Sequence, residues 1–216
     1  MTKMGKKYEF QLSSDMLRSS YKGDKEDRIP EETVYSNPKL AARWFEGKEM
    51  NTKFGIRRLW KIKGGGWVEF PSNLSQSGDC WIDSGAIVCG NATVVGNARV
   101  KSGQVGDNAY IGGNAEVSGN SVVRENAFIL GKVVDSSVRG SASVMATGEV
   151  VNGAVSGSAK IYGKVNGSAV SGSAMINGEV NGEAYVGGDS VVMQGAVVSG
   201  KFGIQNTIVT GTVKKG

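Results

Sequence analysis

A pattern of five or six residues recurs through the last two thirds of this chain of 216 residues. Residues 90–94 (GNATV) and 107–111 (DNAYI) show it: a turn-forming residue, Asn, a small residue, a variable residue, and then Val or Ile. The last three positions alternate in direction as in a short strand, and Gly, Asp and Asn favour turns. A strand this short cannot bury its apolar side alone, so successive repeats must stack. The pattern predicts a mainly β protein, a single-stranded parallel β-helix (β-solenoid), with Asn ladders along the stack.

The alternation also predicts which side chains fill the interior of this β-helix. The inward positions are Val94, Ala98, Ile111, Ala115, Val117, Val123, Ala127 and Ile129, and the outward positions are Thr93, Arg99, Glu116 and Arg124. Between residues 156 and 186 the spacing shortens to steps of four, five and six residues. We therefore expect coils of 15–16 residues with one shortened side after about residue 130.

Part of this pattern resembles the hexapeptide-repeat proteins, whose repeat has an aliphatic residue at position i and a small residue at i+4. Residues 111–116, 117–122, 123–128 and 186–191 fit this spacing. The preceding segments, residues 65–69 (GGWVE) and 73–82 (NLSQSGDCWI), resemble the start of YdcK-like β-helix proteins. These are proteins of bacteria and phages that are often labelled acyltransferases or polymer-forming proteins. The resemblance implies a left-handed β-helix and an origin in a bacterium, a phage or a prophage.

Charge and glycine content change near residue 64. Residues 1–63 carry a net charge of +6 and 4 glycines, whereas residues 64–216 carry −1 and 29 glycines. This contrast predicts a basic α+β N-terminal unit at residues 1–63, which serves as a cap and adaptor. Within it, Asn37 and Pro38 mark the start of a short helix that ends before Gly47.

The segment between the two parts is predicted to close the first end of the solenoid. Residues 64–82 form this N-terminal cap, and the β-helix of short repeats occupies residues 83–216. The cap residues are Trp67, Phe70, Leu74 and Trp81. Their large side chains fit the end of a stack better than its narrow interior, and an open end invites strand pairing with other chains.

The absence of His restricts the chemistry of the chain. With no His and two Cys, Cys80 and Cys89, the sequence excludes Ser-His-Asp and Cys-His catalysis and zinc sites with His ligands. We expect both Cys to be reduced and packed as small apolar groups, and we assign no catalytic residue, cofactor or metal. The resemblance to acyltransferases keeps one enzymatic hypothesis open, in which an Asp or Glu replaces the His base that those enzymes use.

Basic and aromatic residues of the N-terminal unit are the candidate partner-binding residues. They are Arg43, Trp44, Arg57, Arg58, Trp60, Lys61 and Lys63. The leading hypothesis is a non-enzymatic scaffold or interaction protein whose N-terminal unit binds a protein partner or takes part in self-assembly, including a homo-oligomer. The alternative is a phage adaptor that binds a host protein or nucleic acid, because cations neutralise phosphates and aromatic rings stack on bases.

The sequence also bears on the compartment. It contains no run of 18 apolar residues, and its polar start, MTKMGKKYEF, lacks the pattern of a signal peptide. We therefore expect no membrane partner and a cytoplasmic location. If a phage encodes the protein, the expected location is the host cytoplasm or the virion.

Overall fold

Most strands in the computed structural model, which describes residues 47–62, 64–75 and 77–215, are two or three residues long and pair in parallel. The first are β1 (Gly47–Thr52), β2 (Gly55–Lys61), β3 (Trp67–Val68), β4 (Trp81–Val88), β5 (Thr93–Val94), β6 (Arg99–Val105), β7 (Tyr110–Ile111), β8 (Glu116–Ser118) and β9 (Val122–Val123). The next are β10 (Phe128–Ile129), β11 (Lys132–Val134), β12 (Ser137–Val138), β13 (Ser143–Val144), β14 (Glu149–Val151), β15 (Ala154–Val155), β16 (Lys160–Ile161), β17 (Lys164–Asn166) and β18 (Ala169–Val170). The last are β19 (Met175–Ile176), β20 (Glu179–Asn181), β21 (Tyr185–Gly187), β22 (Val191–Val192), β23 (Val197–Gly200), β24 (Gly203–Gln205), β25 (Ile208–Val209) and β26 (Thr212–Lys215). The helix content of these described residues is a single 3₁₀ turn, Pro71–Asn73.

The strands stack into three parallel faces, and the chain visits each face once per coil. Face 1 consists of β5, β7, β10, β13, β16, β19, β22 and β25. Face 2 takes the first residues of β4 and β6 and continues through β8, β11, β14, β17, β20, β23 and β26. Face 3 takes β3 and the last residues of β4 and β6, then β9, β12, β15, β18, β21 and β24. The predicted β-solenoid is confirmed, with about nine coils.

The interior is filled by the residues that the alternation places inward. The eight residues predicted to point inward between Val94 and Ile129 are all at most 1% exposed. Of the four residues predicted to be exposed, Arg99 is exposed, whereas Thr93, Glu116 and Arg124 are half-buried. Their outward direction was right, but their exposure was overestimated. The coils are only about 4.8 Å apart, so the side chains above and below cover much of each outward residue.

Coil length varies because the corners differ in length. Tyr110, Phe128 and Ser143 are successive partners on face 1, so one coil takes 18 residues and the next takes 15. The corner between faces 1 and 2 has four residues at 95–98 but two at 130–131, 162–163 and 177–178. This confirms the predicted short side after residue 130, although coils of 17 and 18 residues also occur there.

The corner between faces 3 and 1 holds a column of residues with positive φ, between +50° and +75°. The column consists of Gly90, Asp107, Glu125, Gly140, Gly157, Gly172, Gly188 and Asn206. Gly, Asn and Asp adopt this conformation most readily, which explains why most repeats begin with them. In the adjacent column, Asn91 Nδ2 donates to Asn108 Oδ1 over 3.0 Å, and Asn108 Nδ2 donates to Asn126 Oδ1 over 3.1 Å. The predicted Asn ladder is confirmed.

The residues predicted to cap the solenoid, 64–82, form its first coil. Val68 and Ile82 point inward, and Leu74 joins them through a parallel bridge to Val94. Asn73 Nδ2 donates to the carbonyls of Gly90 and Ala92, which ties the 3₁₀ turn to the second coil. Of the four predicted cap residues, Leu74 is therefore part of the interior.

The three aromatic cap residues lie outside this interior. Trp67 and Trp81 each precede an inward residue and are half-buried, as is Phe70. At the first end Ile62, which is 2% exposed, packs with the interior cluster. Whether the aromatic side chains shield this end from other chains stays a prediction.

β1 and β2 form an antiparallel hairpin that extends face 3 beyond the first coil. β2 pairs antiparallel with β3, with Trp60 opposite Val68 and Lys61 opposite Trp67. The predicted boundary between residues 63 and 64 therefore falls in the connection between two paired strands. The predicted helix between Pro38 and Gly47 lies outside the described residues.

Candidate binding surfaces

Four of the predicted partner-binding residues lie on β2, and the first of them is engaged by the solenoid. Arg57 Nη1 is 3.5 Å from Glu69 Oε1, and Arg57 Nε donates to the carbonyl of Phe54 over 3.2 Å. Glu69 Oε2 in turn accepts a hydrogen bond from the backbone N–H of Gly90 over 2.8 Å. Arg57 therefore links the hairpin to the second coil, so a partner meets less of its charge than the sequence alone predicts.

Arg58 and Lys61 lie over indole rings. The guanidinium carbon of Arg58 is 5.6 Å from the centroid of the Trp60 ring, and Lys61 Nζ is 5.0 Å from that of Trp67. Both distances are within the range of cation–π contacts, which hold a cation without neutralising it. Arg58 and Trp60 thus lie on one side of β2, and Lys61 lies on the other side, with Trp67. The other predicted residues, Arg43, Trp44 and Lys63, lie outside the described part of the chain.

The turn of the hairpin is anchored on the third coil by contacts that no local sequence pattern marks. The N–H of Lys53 donates to Gln104 Oε1 over 2.7 Å, although the two residues are 51 positions apart. The ring of Phe54 lies against Gly106, where an added Cβ would be 2.6 Å from the ring. Gly106 is therefore needed for close packing with the hairpin.

The hairpin and the two residues after it carry most of the net positive charge of the N-terminal region. Residues 47–63 hold six Lys or Arg and one Glu, a net charge of +5, against +1 for residues 1–46. Lys48 and Lys53 are exposed, and Ile56 is 75% exposed. From the accessible residues of the hairpin we select the basic and apolar residues Lys48, Lys53, Ile56, Arg58, Trp60 and Lys61 and call them the hairpin surface. Glu49, which is also exposed, lies opposite Arg58.

Face 2 carries a column of alternating charges that the sequence patterns did not reveal. In stacking order the outward residues are Trp81, Arg99, Glu116, Lys132, Glu149, Lys164, Glu179 and Val197. We call the six charged members the charge column. Lys132 Nζ is 3.1 Å from Glu149 Oε1, and hydrogen bonds from Arg99 to Asp83 raise the pKa of Arg99. Opposite charges on adjacent strands stabilise the stack, whereas like charges would destabilise it.

Face 3 carries an open groove with a volume of about 520 Å³. Its floor consists of the small outward residues Val122, Ser137, Ala154 and Ala169, and Tyr185 follows at one end. On the rim, Asp135 accepts a hydrogen bond from the N–H of Asn120 over 2.8 Å, and Glu183 pairs with Lys201 at 2.9 Å. Both rim carboxylates therefore already have partners within the chain.

Cys80 and Cys89 are buried, as predicted. Cys89 is one of the buried apolar residues that lie outside the interior cluster. Burial, reinforced by the negative charges of Glu69 and Asp107, raises the pKa of the Cys89 thiol to about 12, although Arg57 acts in the opposite direction. The thiol is therefore neutral and a poor nucleophile near pH 7.

We expect this thiol to make the folded state less stable between pH 9 and about 12. In that window the thiol ionises in the unfolded chain but stays protonated in the folded one, so the free energy of unfolding falls as the pH rises. Below pH 9 both states keep the proton, and the effect is absent. Urea denaturation at about pH 8 and about pH 10.5 should show a smaller loss for Cys89→Ala than for the parent. Equal losses would contradict the raised pKa.

Comparisons with known proteins do not assign the chain to a family. Neither a scan against family models nor a search of curated proteins finds a match. The resemblance to YdcK-like proteins therefore stays a prediction. Within residues 47–62, 64–75 and 77–215, no group of three or more Cys, Asp or Glu side chains is placed to hold a metal ion. The same residues include no helix long and apolar enough to cross a membrane.

Proposed function

We propose that this protein is a non-enzymatic scaffold whose β-solenoid holds a basic N-terminal hairpin for binding to an acidic protein. The net charge of +5 on residues 47–63 carries this proposal. A surface with an excess of one charge attracts a partner of the opposite charge and speeds their association. Ile56, 75% exposed, and Trp60 add apolar area for contact.

The attachment of the hairpin supports the same function. Strand pairing between β2 and β3, the Arg57–Glu69 ion pair and the Lys53–Gln104 hydrogen bond hold the hairpin on the first three coils. A surface fixed before binding loses less conformational entropy when the partner arrives. The solenoid offers less net charge, because residues 64–216 sum to −1 and the signs on face 2 alternate.

Charge reversal on the hairpin tests this function in the full chain. We expect the double variant Lys48→Glu, Lys53→Glu to capture at least about tenfold less partner protein from a cell lysate than the parent does, because it repels an acidic surface. The matched control is Lys214→Glu, Lys215→Glu, which makes the same charge change on exposed residues of the last strand. Quantitative mass spectrometry of the captured proteins, after nuclease treatment, measures the difference.

Three results would contradict the protein-binding function. The first is that both double variants capture the same proteins in the same amounts as the parent. The second is that the Lys214, Lys215 variant loses the captured proteins while the hairpin variant keeps them, which would place recognition on the solenoid. The third is that nuclease treatment removes the captured material, which would favour a nucleic-acid-binding adaptor.

The non-enzymatic part of the proposal can fail separately. An acyltransferase binds its acyl donor in the folded state, so acetyl-CoA would raise its melting temperature by mass action. We expect neither a shift nor turnover. A saturable shift would favour the hypothesis of an acyltransferase that uses a carboxylate base.

A further inference from the structure

The order of the outward residues on face 2 is self-complementary. We propose that a second copy of the protein docks on this face, with its solenoid axis antiparallel, to form a weak dimer with two-fold symmetry. The six charges of the charge column alternate in sign from Arg99 to Glu179, so their reversed order presents the opposite sign at every position. A two-fold interface requires this property, because the same patch on both copies must match itself.

The residue pairs across the proposed dimer follow from the position of its two-fold axis. This axis runs parallel to the strands of face 2, midway between the strand of Lys132 and the strand of Glu149. Each column then faces its own reversed copy, so Lys132 faces Glu149 of the second copy. Glu116 faces Lys164 of the second copy, and Arg99 faces Glu179 of the second copy. The two residues that flank the charges in the stack, Trp81 and Val197, are both apolar and face each other. All eight positions of this one column are therefore matched.

A second outward column supports the same axis independently. It lies two residues after the charge column, and its four central members are Ser118, Val134, Val151 and Asn166 in stacking order. Asn181 continues the column beyond Asn166, and at the other end Lys101, two residues after Arg99, pairs with Glu116 of the same chain at 2.8 Å. Under the same rotation Val134 faces Val151 of the second copy, and Ser118 faces Asn166 of the second copy. In the single chain Ser118, Val134 and Val151 are half-buried, and Asn166 is exposed. Apolar rows at the centre and polar rows at the rim are typical of protein interfaces.

Charge pairing within one chain does not require this symmetry. Any alternating column stabilises the stack, whatever its length and whatever residues flank it. A two-fold interface needs an even number of alternating charges and matching residues at both ends. A parallel arrangement, with the two-fold axis along the solenoid, would instead place Lys132 against Val134 of the second copy and would pair no charges. The antiparallel arrangement is therefore the one that the residues favour.

The size of the contact predicts its strength. Eight rows about 4.8 Å apart, with two columns of side chains about 10 Å wide in total, give about 400 Å² per copy. Specific interfaces of this size are at the weak end of the known range. We therefore expect dimers at high protein concentration and low salt, since salt screens exposed charges. The hairpin surface is not part of this contact, so the dimer and the proposed function can fail independently.

Sedimentation equilibrium of the full chain tests the dimer. We expect an association constant at least about tenfold higher at about 20 mM than at about 500 mM salt. Lys132→Glu and Glu149→Lys each place like charges at both central contacts, so each variant alone should be monomeric where the parent dimerises. In an equimolar mixture the two variants present opposite charges to each other at both contacts, and a dimer of one copy of each should form. Lys160→Glu, on face 1, is the matched control and should dimerise like the parent.

The outcomes are decisive once circular dichroism shows that the variants are folded. A parent that stays monomeric at low salt would overturn the proposal. So would a single variant that dimerises as tightly as the parent, or a mixture of folded variants that forms no mixed dimer. If a charge reversal unfolds the chain, Lys132→Gln and Glu149→Gln replace it, because they remove the attraction without adding repulsion. Each should weaken the dimer at least about threefold, and an unchanged dimer would overturn the proposal.

Discussion

Ile111→Asp should lower the free energy of unfolding by about 4 kcal/mol or more. Such a loss is a large part of the total stability of a protein, which is about 5–15 kcal/mol. Ile111 is fully buried on face 1, where it stacks between Val94 and Ile129. The substitution removes an aliphatic side chain from a packed interior and buries a carboxylate among aliphatic neighbours. Urea denaturation followed by circular dichroism measures the loss.

The matched control makes the same change on the outside of the same face. Ile208 occupies the outward position of β25 and is 70% exposed, so Ile208→Asp should change the free energy of unfolding by less than about 0.5 kcal/mol. If Ile111→Asp and Ile208→Asp denatured at the same urea concentration as the parent, the inward assignment of Ile111 would be wrong.

Gly157→Ala should cost about 3 kcal/mol of folding free energy, because two separate penalties add at this corner. Gly157 has a φ of +70°, which Ala adopts only with strain. Its added Cβ would also lie 2.6 Å from the carbonyl oxygen of Gly172 in the next coil. Thermal and urea denaturation measure the sum.

Three further glycines separate the two penalties. Gly195 has a φ of +79° and open space around it, so Gly195→Ala should cost about 1 kcal/mol from backbone strain alone. An added Cβ at Gly163 would collide with the carbonyl oxygens of Gly178 and Asn177 of the next coil, so Gly163→Ala should cost about 2 kcal/mol from crowding. At Gly211 neither penalty applies, and Gly211→Ala should be neutral within about 0.5 kcal/mol. Equal costs at Gly157 and Gly195 would show that close stacking of the coils adds no penalty.

The solenoid could be predicted from the sequence because the residues that define each short strand are close together in the chain. A strand such as Tyr110–Ile111 needs one small residue before it and one β-branched residue inside it, and both lie within five positions. The same local rule places Ala109 and Ile111 inward and Asn108 in a ladder. The rule also places Trp67 and Trp81 on the outside of the first coil, whereas their size alone suggested a cap, and that role stays a prediction.

The surfaces depend on contacts that are distant in sequence. The docking of the hairpin rests on Lys53 with Gln104 and on Phe54 with Gly106, and no short pattern announces either contact. The charge column is hidden for another reason. Its members are 15 to 17 positions apart, as from Glu116 to Lys132 and from Lys132 to Glu149, so the alternation emerges only after the length of every coil is known.

The charge column also limits how this chain can evolve in length. Loss of the coil that carries Lys132 would stack Glu116 on Glu149, and like charges on adjacent strands are destabilising. Loss of the coils that carry Lys132 and Glu149 together would stack Glu116 on Lys164 and leave every neighbouring pair opposite in sign. The same rule holds for inserted coils, because only an even number of them can continue the alternation of charges. We therefore expect this solenoid to gain or lose coils in pairs. An odd change would place like charges on adjacent strands, and further substitutions would be needed to remove that repulsion.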